Sequence, residues 1–204
     1  MITRTNFSLT LSAEQMETLQ AIKPWLGDHW DNPPNDEIRN IKNAVRQQLT
    51  LTQVKCSYCG LKLNGTSKGE IEHIAPKATG FRHPEFTFTL ENLTFSCHWC
   101  NTSEKKGTKD TIRVKSNSYS NCQFNLVHPY FDDPNDHYEW TDNNLEILIQ
   151  VKNNSQKAEF SIDMFKLATP EMNEHRAMQI RFEQLKANTP LATADEQLID
   201  DAIK

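Results

Sequence analysis

Two Cys-x-x-Cys pairs, Cys56/Cys59 and Cys97/Cys100, bind distant points of this 204-residue chain to one place. Four thiolates at these spacings satisfy the tetrahedral preference of zinc, and a site closed by four protein ligands is structural. The segment between the pairs, residues 60–96, exceeds the gap of common zinc ribbons and must carry content of its own. Metal binding would clamp the ends of an insert whose core is otherwise small. The competing use of paired cysteines is a disulfide framework. The cysteine count is odd, with Cys122 left over, and the N-terminus lacks the apolar run of a signal peptide. Both features favour structural Zn²⁺ in a reducing, cytoplasmic setting.

Hydrophobic residues make up 37% of the chain and the mean hydropathy is −0.68, so the core is modest and the surface polar. No stretch approaches the roughly 20 apolar residues of a membrane span. A net charge of −5 argues against nucleic-acid binding by the chain as a whole. The distribution reverses that reading. From Lys55 to Lys115 there are 10 basic and 6 acidic residues, so the segment that holds the cysteines is basic and its flanks are acidic. A phosphate-binding site would require this placement, and the acidic flanks suit solubility or a protein partner.

The pattern predicts an α+β protein in three parts: an N-terminal helical extension over 1–54, a metal-bound core over 55–115, and a mixed region over 116–204, mainly helical after 160. Ser12-Ala13-Glu14-Gln15 reads as a capping box that opens a helix carrying Met16, Leu19 and Ile22. That helix should stop at Lys23-Pro24. Residues 25–34 read as a loop, and a second helix should follow from Asp36 with Ile38, Ile41, Val45 and Leu49 as its stripe. Short strands are expected around Leu61 and Gly69–Ile74, then a loop to Phe86. Asn92-Leu93-Thr94-Phe95 should lead into the second cysteine pair, and a helix from His98–Asn101 should continue towards Lys106. Loops should dominate from Asn121 to Tyr138. Leu145–Val151 reads as a strand. Thr169-Pro170 opens a helix with Met172, Met178, Phe182 and Leu185, and Thr193–Glu196 is a further capping box ahead of Leu198, Ile199 and Ile203.

Between the cysteine pairs lies Glu72-His73-Ile74-Ala75-Pro76-Lys77. Neighbouring residues on a strand point to opposite faces, so Glu72 and His73 serve one site only at a strand end or bend, which Pro76 supplies. An imidazole titrates near neutral pH, which makes His73 the candidate general base. A lone histidine is more often structural; the adjacent acid and the flanking cysteines outweigh that reading here.

These residues resemble the HNH endonucleases of the ββα-metal class, in the variety with two Cys-x-x-Cys knuckles. The matching positions are Cys56/Cys59, Glu72-His73, Asn92 within Glu91-Asn92-Leu93, and Cys97/Cys100 followed by Asn101. The resemblance implies a β-hairpin and a helix around one divalent ion, Mg²⁺ or Mn²⁺. It implies Glu72 and Asn101 as ligands of that ion, His73 as general base, and Asn92 as the residue that holds the His73 loop. Lys105 and Lys106 are candidate phosphate contacts one helical turn past Asn101, against the plain reading of a solvated helix face.

A broader resemblance, from Thr50 to Arg181, points to the PtuB-like HNH nucleases of Septu and retron-linked anti-phage systems. It adds Pro129-Tyr130-Phe131-Asp132-Asp133-Pro134 and His137, and implies an ABC-type ATPase partner of the PtuA kind. Two positions depart from that pattern. His128 precedes the proline where an acidic residue is expected, and the run from Asn101 to Lys106 is longer than usual.

The expected substrate is DNA, with RNA open because the chemistry does not distinguish the sugars. A free-standing restriction-like or mobile-element nuclease would need a sequence-reading domain, and no helix-turn-helix signature or basic arm is evident. A zinc-knuckle binding module without catalysis would have a degenerate site, whereas Glu72, His73, Asn92 and Asn101 are all intact. Asp132, Asp133 and His137 read as turn formers before metal ligands. His98 reads as a surface residue or one that supports the ligands from behind rather than a fifth ligand, Cys122 as a thiol without a role, and Trp25, Trp30 and Trp140 as core or interface anchors.

Overall fold

The computed structural model describes residues 1–65, 67–77, 83–143 and 145–188. The first helix, α1 (Ala13–Ala21), begins as its capping box predicts: Ser12 accepts from the Gln15 backbone and Gln15 reaches back to the Ser12 backbone. It ends at Ile22, ahead of Pro24. The stretch read as a loop contains one helical turn, α2 (Asp28–Asp31), which turns Trp30 into the core. Burial of a large aromatic ring overrides a local sequence that favours loop. In α3 (Asp36–Thr52), Asn35 caps the first turn and Ile38, Ile41, Val45 and Leu49 are 0–2% exposed. Each such buried aliphatic side chain contributes about 1.5–3 kcal/mol.

The end of α3 is tied to the metal-binding region by one side chain. Gln53 donates to the backbone carbonyls of Lys55 and Phe95, and its carbonyl accepts from the Phe95 amide. There follow β1 (Gly69–His73) and β2 (Leu93–Cys97), antiparallel with Glu70 opposite Ser96 and His73 opposite Leu93. A single helical turn, α4 (His98–Asn101), packs against both strands. It is shorter than its predicted run to Lys106. Thr102 takes extended backbone angles (φ −63°, ψ 155°), and the chain folds back through Gly107 at φ +44°. Any Cβ at Gly107 would lie 2.8 Å from Ser103 Cα, so the reversal requires glycine.

Beyond it, β3 (Ile112–Val114) pairs with β4 (Gln123–Phe124). The short α5 (Pro134–His137) leads into β5 (Tyr138–Asp142), which pairs with β6 (Ile147–Val151), the strand expected at 145–151. Two helices complete the described chain, α6 (Gln156–Phe165) and α7 (Pro170–Asn188). The fold is α+β, as predicted. Among the described residues its strands form three two-stranded sheets. One hydrophobic core runs through all the regions, from Leu19 and Ile38 through Phe95 to Leu126, Ile149 and Phe165.

Two expectations about the C-terminal region need correction or fall outside view. Met172 of α7 is buried, but Met178, Phe182 and Leu185 are 63–66% exposed, so they are not core. The capping box at Thr193–Glu196 lies outside the described residues. No helix among the described residues is long and apolar enough to cross a membrane.

Candidate active site and metal centre

The four cysteines converge as the spacing requires. Their sulfur atoms all lie within 4.8 Å of one another, and all four residues are buried. Cys59 and Cys97 Sγ are 3.8 Å apart. The first knuckle is a tight turn closed by the Gly60 amide on the Cys56 carbonyl at 3.0 Å. Gly60 sits at φ +73°, and a Cβ there would lie 2.7 Å from the Ile2 nitrogen. In the second knuckle Cys97 ends β2 and Cys100 sits in α4, so a metal held by the four sulfurs would lock the hairpin to its helix. Hydrogen bonds from Cys100, Cys56 and Cys59 hold the Cys97 thiol well below its ordinary pKa. Four sulfurs this close suit a dication that takes them as thiolates, and the all-sulfur donor set fits zinc.

Strand alternation sorts the acid and the base. Glu70 and Glu72 leave β1 on one face, with Ile71 and His73 on the other. On the acidic face, Asn101 donates to Glu70 at 2.8 Å and His98 Nδ1 lies 2.9 Å from the same carboxylate. The structure thus brings Asn101 to Glu70, which sequence reading did not single out. The signal was available in the i, i+2 spacing of Glu70 and Glu72. Two carboxylates and an amide whose Nδ2 is already committed to Glu70 leave oxygen donors for a hard cation, which fits Mg²⁺ or Mn²⁺. His98 is exposed and supports this cluster from its edge, in line with its reading as a surface or supporting residue.

Glu72 itself is buried, and its carboxylate forms an ion pair with Lys106. Burial pushes the Glu72 carboxyl above its ordinary range, opposed by the Lys106 charge. Lys106 also donates to the His73 carbonyl at 2.8 Å. This corrects the placement of both lysines on an open helical face. Lys106 is fully buried and engaged with Glu72 and His73, because the turn after Asn101 folds it under β1. Lys105 is buried, with its ammonium 3.2 Å from the centre of the exposed Trp99 ring.

His73 is 6% exposed. Its Nε2 lies 3.0 Å from the Thr87 carbonyl, which only accepts, so Nε2 carries the proton and Nδ1 is the basic atom. The ring stands edge-on to Trp30 at 4.7 Å. Burial lowers its pKa to about 3, helped by the nearby Lys77 charge. Lys77 is held by Asp31, which belongs to α2 like Trp30. The tryptophan read as a core anchor therefore covers the candidate base.

Asn92 is completely buried. Its Oδ1 accepts from the Ala75 amide at 2.6 Å, and its Nδ2 donates to the Ala75 and Phe86 carbonyls at 3.1 and 3.0 Å. It pins the loop just past His73. The remaining candidates have structural partners. Asp132 accepts from the His128 amide and from Lys157, Asp133 caps α5, and His137 Nδ1 meets Ser155 at 2.6 Å.

Residues 56–107 match the HNH endonuclease family, and the segment is an HNH domain, as its motif resemblance implied. The chain is similar to the Septu protein PtuB of Bacillus mycoides (strain KBAB4), with 32% identity over 162 residues that cover 72% of this chain. The chain spans about half the length of that curated relative, 53% of it.

Proposed function

We propose that this protein is a metal-dependent HNH endonuclease that hydrolyses phosphodiester bonds in DNA. The observation that carries this reading is the end of β1. There the Glu70/Glu72 face meets Asn101, while His73, one residue on, is fixed by Thr87 as a neutral imidazole with Nδ1 as its basic atom. Glu72 and Asn101, with Glu70 beside them, are the residues proposed to hold Mg²⁺ or Mn²⁺. When bound, such an ion supplies Lewis-acid stabilisation of charge on phosphate oxygens.

His73 Nδ1 takes a proton from the water that attacks phosphorus in line. The Thr87 carbonyl keeps the imidazole in the required tautomer and stabilises the charge it gains. Asn92 holds the backbone after His73, so the ring does not drift from the attacking water. Zinc on Cys56, Cys59, Cys97 and Cys100 fixes β2 and α4 relative to the first knuckle. Trp30 stands edge-on against the His73 ring and limits where that ring can move.

By likeness to PtuB-like proteins, the proposed setting is anti-phage defence in the cytoplasm alongside an ABC-type ATPase. The HNH core at 55–115 would cut, and the flanking parts would bind the partner. The exposed Met178, Phe182 and Leu185 of α7 support a partner surface there. The deciding experiment is cleavage of plasmid DNA and of RNA with Mg²⁺ or Mn²⁺, with and without the ATPase. The His73→Ala protein should not cut, and undiminished cleavage by that variant would sink the mechanism.

A further inference from the structure

We infer that Tyr119 and His128 are positioning residues of this site and act on it through Asn92; the inference rests on the nuclease reading. Both lie outside the HNH segment and both are buried. The Tyr119 hydroxyl is 2.9 Å from Asn92 Oδ1 and 3.0 Å from His128 Nε2. His128 Nδ1 accepts from the Tyr130 amide at 3.2 Å.

The proton inventory leaves one arrangement. The Tyr130 N–H can only donate, so His128 Nδ1 is unprotonated and the neutral ring carries its proton on Nε2. That N–H donates to the Tyr119 oxygen. The single Tyr119 proton then goes to Asn92 Oδ1, since two facing oxygens without a proton would repel. Asn92 Oδ1 thus receives two donors, Tyr119 and the Ala75 amide, and its Nδ2 must face the Ala75 and Phe86 carbonyls. A flipped amide would set Nδ2 against the Ala75 N–H. The relay therefore fixes the orientation of the side chain that pins the loop after His73. Burial lowers the His128 pKa to about 3, consistent with a neutral ring. A carboxylate at position 128 would draw the Tyr119 proton away from Asn92.

The test is Tyr119→Phe, which keeps the ring packed on Phe86 and Phe124 and removes only the hydroxyl. With folding confirmed by circular dichroism, kcat on plasmid DNA should fall about 10–100-fold with KM unchanged. In an Asn92→Ser background the same substitution should change kcat less than about 2-fold, because its route is already cut. Wild-type kcat in Tyr119→Phe, or a full further loss in the Asn92→Ser background, would overturn the inference. Amide hydrogen exchange provides a readout independent of cleavage and of the Asn92 variant. In Tyr119→Phe the Ala75 amide should exchange about 10-fold faster while Val45 and Leu49 in α3 do not change. Unchanged Ala75 protection would also overturn it. Absence of cleavage by the wild-type protein would instead defeat the nuclease reading, leaving the exchange experiment to judge the relay.

Discussion

Lys106→Met separates a buried ion pair from a phosphate contact. The Lys106 and Glu72 side chains are 1% and 7% exposed, and each is the other's ionic partner. Removing the ammonium leaves a buried carboxylate facing an apolar thioether, and also leaves the His73 carbonyl without its donor. Breaking one half of a buried pair costs about 3–5 kcal/mol. For a domain of this size each kcal/mol shifts Tm by about 2–4 °C, so the midpoint should drop by about 6–20 °C. The double variant Lys106→Met/Glu72→Gln removes both charges and should recover most of that loss. Thermal unfolding of the zinc-loaded wild type, Lys106→Met and the double variant measures the drop and its recovery. Wild-type stability in Lys106→Met, with only KM for DNA raised, would refute the buried-pair argument and restore Lys106 as a phosphate contact.

Other expectations follow from the same structure. His73 and His128 have folded pKa values near 3, below the 6.5 of an unfolded histidine. The unfolded chain then binds protons that the folded chain does not, so stability is full above about pH 6.5 and falls as pH drops towards 3. Each ring should cost about 2 kcal/mol between pH 7 and 5, and His128→Phe should flatten the urea-midpoint profile by one proton's worth. Metal analysis should find about one zinc per chain, as one Cys₄ site requires. Cys97→Ser should lose it and unfold on mild heating; retained zinc in that variant would exclude the four-cysteine site. Trp30→Ala should raise the rate at which diethyl pyrocarbonate modifies His73, read by mass spectrometry, at a stability cost of about 3–5 kcal/mol. An unchanged rate would show that Trp30 does not guard the base.

Much of this protein is readable along the chain because the signals are local. The Ser12 capping box, the Ile38–Leu49 stripe, the paired cysteines and the Glu72-His73 dipeptide each depend on residues a few positions apart. So do the α+β class and the HNH resemblance. The helical run read on towards Lys106 instead stops at Asn101, and the turn that follows carries Lys106 to Glu72, a pairing the sequence could not show. Nor could it show that Asn101 turns to Glu70, that Trp30 comes from more than forty residues upstream to cover His73, or that Tyr119 and His128 complete the Asn92 clamp. Those contacts join residues far apart in the chain. They are decided when burial forces every polar group in the core to find a partner. Local pattern therefore nominated Glu72, His73, Asn92, Asn101 and the four cysteines, and tertiary packing brought Glu70, Tyr119 and His128 to them and decided their partners and their protons.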